Sequence, residues 1–578
     1  MYLHAVTSKN AVSYYILEST YEKGKHSSRV VEKLGTFAEM TERANGQEPL
    51  AWASGYVAEL NAKKKAGKQA IIVKLSSNMQ IAKNEAKRFN IGYLFLKSIY
   101  HGLGLDKLCK ELQANTKQEY DLDAVVSRLV YTRILYPSSK LSSWESSHLL
   151  MEPPMFDLQH IYRALDVIEA NGELIESWVY EASKRLVKRN TGVLYYDCTN
   201  YFFEIEEEDT LRQYGKSKEH RPNPIVQMGL FIDGSGIPLA MCVTPGAMNE
   251  QPTLKPIEER IAKDFSVSKF IVCTDGGLGS LENRKMNNIT DRAFVTTQSL
   301  KKLKGFLKTW ALAPEGWRIL GEKGTYDLHK IDDTSANPNT YYKERWMKED
   351  GLEQKLVVTY SPKYKAYQRH VRHRQIERAQ RLAENPGRLK HKREHDPARL
   401  LTQTHVTPDG EVAGQQVVSL NEAAIAKEEK YDGFYGVCTN LEEDVHTILK
   451  INRGRWEIEE SFRILKSEFR ARPVHHWKEN RIKAHFTTCF LSLLVYRILE
   501  KKLGERFTVC QIIDTLRSMD MAAAGIQGYV PAYQRTDLTD ALHDTFGFRT
   551  DWEVTPKKTL TNILKASKKT PTLFTSAL

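Results

Sequence analysis

The sequence predicts a multidomain α/β protein. Two observations carry that expectation: strands and one helix alternate between about residues 190 and 300, and the same texture resumes near residue 431 after a different intervening stretch. Size is the third. At 578 residues the chain exceeds what one core can organise, so roughly three or four domains or sub-domains are expected.

Residues 1–84 read as a β-rich region. Within it SYYILESTYEKGKHSSRVVEKLGT (13–36) has the form of a hairpin, two β-prone runs around a polar turn at Lys23–Ser27. Residues 85–190 are helical in pattern, as in AVVSRLVYTRILY (124–136), with breaks at Pro137 and Pro153–Pro154. In the core, 191–299 and 431–500, strands are expected at 193–203, 225–233, 237–244, 269–275 and 292–297. A helix is expected at 251–265, where Pro252 sits at a start position whose missing N–H is harmless. Three antiparallel strands, a helix and further strands is the order of a ribonuclease-H-like core. Residues 300–430 interrupt it as a β-rich insertion carrying a very basic helical stretch, 361–399, with twelve Lys/Arg against four acids. Residues 501–578 read as a helical C-terminus.

The composition is ordinary for a folded protein, 41% hydrophobic and 10% aromatic, and the formal charge of +12 suits a polyanionic partner. Seven scattered cysteines without a C-x-x-C pair argue against a zinc ribbon and against a secreted disulfide scaffold. The N-terminal segment lacks the pattern of a signal peptide, and Cys489–Leu499 is too short an apolar run to span a bilayer. A cytoplasmic protein with no membrane partner is the expectation.

Three carboxylates stand out. Asp197 lies inside an apolar strand, VLYYDCT, where an unpaired acid is costly and calls for a partner or a metal. Asp275 ends the strand KFIVCT before Gly276-Gly277, and taken alone it reads as a turn residue. The third lies in INRGRWEIEESFRILKSEF (451–469). There Ile458, Phe462, Leu465 and Phe469 form one helical stripe that faces the core. Asn452, Arg455, Glu459, Arg463 and Lys466 form a second stripe roughly 100° round from it. Glu460 is expected to point to solvent, which favours Glu459 as the residue facing a cleft. Three such acids can converge on two hard cations, and Mg²⁺, which prefers oxygen ligands and keeps several waters, is the natural candidate.

With these residues in view, the chain resembles a known group. Arg455, Glu459 and Lys466 fit R-x3-E-x6-K, the core of the Y-R-E-K signature of bacterial insertion-sequence transposases with a DDE catalytic domain. The segments YYDCTNYFFE, KSKEHRPNPIVQMGLFIDGSGIPLA and IVCTDGGLGS are similar to that family's motifs around its two aspartates, and RILYPSSK (133–140) also looks family-like. The resemblance covers about residues 190–490. It implies catalytic and metal-ligating roles for Asp197, Asp275 and Glu459, with two Mg²⁺ ions that Mn²⁺ can replace. It also implies DNA-phosphate binding by Arg455, Lys466, Asn452 and Arg463. The expected partners are DNA, as terminal inverted repeats and target, and a second copy of the chain in the DNA complex. The signature's tyrosine position, which in relatives that pass through a DNA hairpin holds phosphate near a flipped base, is Asn452 here, a shorter amide that can still bond a phosphate oxygen.

Several nucleic-acid contacts are expected on charge alone. The run 361–399 suits phosphate tracking, and 85–190 is the best region for reading DNA ends. Trp456 is read as packing more readily than as a base-stacking residue. His475, His476, Trp477, Arg481, Lys483 and His485 form a cationic cluster without a metal-ligand pattern. Competing readings are a metal-dependent nuclease without strand transfer, a phosphatase, and a non-catalytic DNA-binding protein derived from a transposase.

Overall fold

The protein is described by a computed structural model covering residues 1–8, 11–22, 25–69, 77–78, 80–114, 119–384, 396–405, 416–525 and 528–570. The chain forms two compact units. The smaller comprises residues 1–87 with 522–530 and 552–559. Its strands Tyr2–Thr7, Val12–Glu22 and Lys25–Thr36 make an antiparallel meander. The pairing closes at Glu22↔Lys25, so the turn is tighter than the expected Lys23–Ser27, and residues 23 and 24 lie outside the described residues. Ile16, Leu34, Met40, Ala53 and Val57 bury one face of this sheet against two helices, the first opened by a capping box between Thr36 and Glu39.

The larger unit comprises residues 88–521, 531–551 and 560–578. It is built on a nine-stranded mixed sheet among the described residues. Its strands are β1 (Val193–Phe202), β2 (Ile225–Asp233), β3 (Pro238–Pro245), β4 (Phe270–Thr274), β5 (Arg292–Thr297), β6 (Arg318–Ile319), β7 (Tyr341–Glu349), β8 (Leu352–Tyr360) and β9 (Phe434–Thr439). Across the sheet they run β6-β7-β8-β9-β5-β4-β1-β2-β3. The pairs β1–β4 and β4–β5 are parallel and the rest are antiparallel. The stretch 300–430 was expected to interrupt the core, yet its strands β6, β7 and β8 extend the core's own sheet through β9. Shared burial explains it: β8 is buried along nearly its whole length, and its Leu356 and Val358 join Phe294 and Cys438 in one apolar cluster. The basic stretch forms a helix over Pro362–Ala383, and residues 385–395 of it lie outside the described residues.

The helices that matter for the site are α1 (Leu122–Leu135), α2 (Lys140–Ser147), α3 (Leu254–Asp264), α4 (Val445–Arg453), α5 (Trp456–Arg463) and α6 (Glu479–Lys502). Each of α1, α2 and α4 starts where a short polar side chain caps a free amide: Asp121 to Ala124, Ser139 to Ser142 and Asp444 to Thr447. α3 packs Leu254, Ile257 and Ile261 against Tyr196, Phe231 and Val272 of the sheet. The helix α6 is long and apolar enough to cross a bilayer, and it is the buried central helix of this unit, packed on α1.

Candidate active site

Strand pairing leads to both aspartates. β1 and β4 pair in parallel as Val193↔Ile271, Leu194↔Val272 and Tyr195↔Cys273. The pairing ends there, with Asp197 two residues further along β1 and Asp275 one residue past the end of β4. The charges feel each other. Burial pushes the Asp197 carboxyl up to about 6, Lys218 and Arg455 oppose the rise, and Asp275 adds to it.

Neither carboxylate is neutralised by a hydrogen-bonded cation among the described residues. Asp197 Oδ1 accepts only the neighbouring Cys198 amide, at 2.8 Å. Asp275 Oδ1 accepts the amides of Gly277 (2.9 Å) and Leu278 (3.0 Å), so the turn role read from the sequence is real and uses that oxygen. The turn is pinned from both sides, by Gln251 Nε2 donating to the Gly277 carbonyl and by Thr296 Oγ1 donating to the Asp275 carbonyl.

The helix carrying Glu459 is held to the same strand. Tyr195 of β1 donates its hydroxyl to the Ile451 carbonyl at 3.1 Å, and its ring end fills the space where residue 454 would carry a Cβ. Only glycine fits between α4 and α5 there. The stripe Ile458, Phe462, Leu465 and Phe469 is buried as expected.

The acids beside that stripe behave differently from expectation. The Glu460 side chain, expected in solvent, is 17% exposed because Arg463 folds back on it with two hydrogen bonds. The Glu459 side chain is 66% exposed and meets only Arg455, at 3.9 Å. Among the described residues Glu459 contacts neither aspartate. Its neighbours on the helix do reach towards them: Arg455 acts on Asp197, and Asp197 acts on Lys466. Glu459 is thus flanked along the chain by two cations that interact electrostatically with Asp197, with its own carboxylate exposed.

The four expected phosphate-binding residues separate into two pairs. Arg455 donates to Thr297 Oγ1 at 3.0 Å, and burial with Lys218 draws the Lys466 ammonium down to about 8. Arg463 is committed to Glu460 and faces away, and Asn452 is buried with its amide donating to the Tyr435 hydroxyl at 3.3 Å. Tyr435 in turn bonds Thr297 at 2.8 Å, so Asn452, Tyr435, Thr297 and Arg455 form one chain of polar contacts. Trp456, read as packing, is 57% exposed.

Three residues at the site were not singled out by the sequence. Lys218 bonds the Cys198 carbonyl and pairs with Glu250 at 3.6 Å. Glu219 is shared by Lys466 (3.5 Å) and Arg472. Their loop is placed by Asn200 of β1, which donates to the Lys216 carbonyl and accepts the Lys218 amide. Nothing in a polar loop sequence signals such a tether.

A divalent cation fits the two aspartates. Both offer hard oxygen donors and both lack a bonded cation among the described residues, and the Asp197 carboxyl is raised by burial first and by Asp275 after it, a cost that positive charge would offset. A second group, Asp540, His543 and Asp551, has ligand spacing but not ligand character. Arg535 and Arg549 neutralise both acids, and the Thr550 amide donates to His543 Nε2 at 3.2 Å.

Residues 202–495 match a family model described as "Transposase DDE domain", a match that takes in Asp275 and Glu459 and begins just after Asp197. No curated protein matches the sequence. One solved structure with similarity is titled "Cryo-EM structure of piggyBac transposase synaptic complex with hairpin DNA (SNHP)". It is 8% identical, 82% of this chain and 90% of that one are covered, and the TM-score is 0.35, a likeness too loose to carry an argument.

Proposed function

The chain belongs to the family of transposases with a DDE domain, DNA-cleaving and strand-transferring enzymes, and from that premise we propose that Asp197, Asp275 and Glu459 are its catalytic metal ligands. The single observation that supports this reading is the parallel β1–β4 pairing, which leads to both aspartates, each without a hydrogen-bonded cation among the described residues and the one acting on the other. The reaction is phosphoryl transfer with two divalent ions, Mg²⁺ by ligand chemistry, at the terminal inverted repeats of a bacterial insertion sequence of the Y-R-E-K group. The core is ribonuclease-H-like, the active assembly on DNA is a homodimer, and the site of action is the cytoplasm.

Bound at these carboxylates, divalent ions would lower the cost of generating the attacking oxygen and of charge on the leaving oxygen. The protein's part is positioning. β1 and β4 fix Asp197 and Asp275, and the Tyr195–Gly454 contact fixes the height of α5 over them. Arg455 and Lys466 present cationic N–H groups to the non-bridging oxygens of the scissile phosphate. Lys218 restrains the rise of the Asp197 carboxyl and so keeps it available as a ligand near neutral pH. Glu459 completes the set by turning inward from its exposed position.

The test is incubation with DNA carrying the element's ends, with and without Mg²⁺. Nicking and joining that vanish in Asp197→Ala and Glu459→Gln, with end binding retained, support the reading. Full activity in Glu459→Gln removes that residue from the site, and loss confined to Glu460→Gln moves the ligand by one position. Nicking without joining would favour the nuclease alternative.

A further inference from the structure

Apart from the carboxylates, the larger unit buries a second set of like charges. A cavity of about 220 Å³ opens between the end of α1, the start of α2 and the loop that follows α5. Arg133, Lys140, His476 and His485 are buried in its floor, and Ser138, Arg470 and His475 stand exposed at its mouth. No carboxylate lines it among the described residues.

The two buried cations differ in their bonding. The Arg133 guanidinium donates to the carbonyls of Phe469 (3.2 Å) and Ser138 (3.0 Å), which fastens the loop after α5 to α1. The Lys140 ammonium is only 4% exposed at the residue level and has no hydrogen-bond partner among the described residues. The histidines do not supply one. His485 Nε2 donates to the Ala471 carbonyl at 3.0 Å, and burial holds both His476 and His485 well below the ordinary histidine range. Burial and Arg133 likewise draw the Lys140 ammonium down, to about 7.

Packing alone does not account for a lysine here. An unpaired buried ammonium is costly, and a methionine would fill the same space without that cost. Lys140 is also the first residue of α2, the end of a helix where a cation is disfavoured and an anion is held by free amides. The Lys140 ammonium brings three N–H groups to a cavity also lined by Arg133, Arg470 and Arg472, which suits a group with several acceptor oxygens.

We propose that this cavity binds a phosphate group of the DNA strand, as a second anion site distinct from the carboxylates. The choice of DNA as the source rests on the transposase reading, and one contact argues for it. Arg472 lines the cavity and shares Glu219 with Lys466, so the cavity and the carboxylate site lie along one cationic run.

Full-length wild type is compared with Lys140→Met and with Arg470→Gln, a mouth variant whose exposed position leaves folding unthreatened. Binding of a labelled duplex carrying the element's ends is measured across a salt series, and melting is measured with millimolar inorganic phosphate against chloride at equal ionic strength. The expected result is a slope of log K against log salt shallower by about 0.9 in Lys140→Met, the release expected for one lost phosphate contact. A saturable rise in Tm with phosphate is expected in wild type, reduced in Arg470→Gln and absent in Lys140→Met. Unchanged slopes together with no phosphate response in wild type would overturn the site. A phosphate response lost in Lys140→Met with an unchanged slope would overturn DNA as the source and leave a free-phosphate site. Wild type that binds no DNA yet responds to phosphate through Lys140 would sink the transposase reading, not the anion site.

Discussion

The carboxylate pair and the Lys140 cavity present the same physical situation with opposite sign. In one, an acid in the middle of β1 and an acid just past the end of the parallel neighbour β4 act on each other without a bonded cation. In the other, an arginine and a lysine share a cavity without an acid. Elsewhere the unit buries charge in complementary pairs, as in Arg189–Asp233, Arg497–Glu500 and Arg372–Asp432. The contrast teaches that this fold compensates charge where charge is structural. Lys343, a buried lysine without an ion-paired acid among the described residues, instead donates its ammonium N–H groups to the carbonyls of Trp310 and Ala313. The carboxylate pair and the Lys140 cavity each have the chemistry to take a complement from outside: a cation in the first and an anion in the second.

The strongest way to break that comparison is to remove the acid with the clearest role. Asp197→Ala is expected to lower end cleavage by at least about a thousandfold, roughly 4 kcal/mol of transition-state stabilisation, with end binding retained in a gel-shift assay. Glu459→Gln should lose about a hundredfold in the same cleavage assay, since its outward position makes it the last ligand to engage.

A milder variant sharpens the comparison through stability. The folded Asp197 carboxyl is raised to about 6 from its ordinary 3.8. Between those values the folded chain holds a proton that the unfolded chain has lost, so stability falls as pH rises through the window. Above about pH 6 the full cost stands, at most about 3 kcal/mol. Asp197→Asn should therefore melt higher than wild type at pH 8 and level with it near pH 4. Mg²⁺ should raise the wild-type Tm at pH 8 and leave Asp197→Asn unmoved. The smallest effect is expected from Glu460→Gln, whose partner Arg463 is 63% exposed: a stability change within about 0.5 kcal/mol and cleavage within threefold of wild type.

Much of this was legible before folding. The core strands fall within a residue or two of their expected bounds, because continuous apolar runs bounded by turn residues leave little choice of register. The mid-strand position of Asp197 was a signal in itself. One reading failed for an identifiable reason, and another is sharpened. The stretch 300–430 lies between core strands β5 and β9 in sequence, and although its composition changes, hydrogen-bonded sheet edges are indifferent to such changes and its β8 pairs with β9. Helical geometry put Glu460 in solvent, but an angle on a helix says nothing of a neighbouring arginine that folds over the side chain. Lys218, Glu219, Tyr435 and the Lys140 cavity were beyond reach, since each depends on segments far apart in sequence meeting in space.

The meeting of Tyr195 and Gly454 has a mechanical consequence. The strand that bears the first acid and the helix that bears the last touch through a ring end and a bare backbone, with no flexible side chain between them. Such a joint has no slack. A single methyl at position 454 would act as a spacer, lifting α5 away from β1 while leaving every acid, arginine and lysine of the site chemically intact. The tolerance of the whole catalytic arrangement is thus set at a residue that has no side chain.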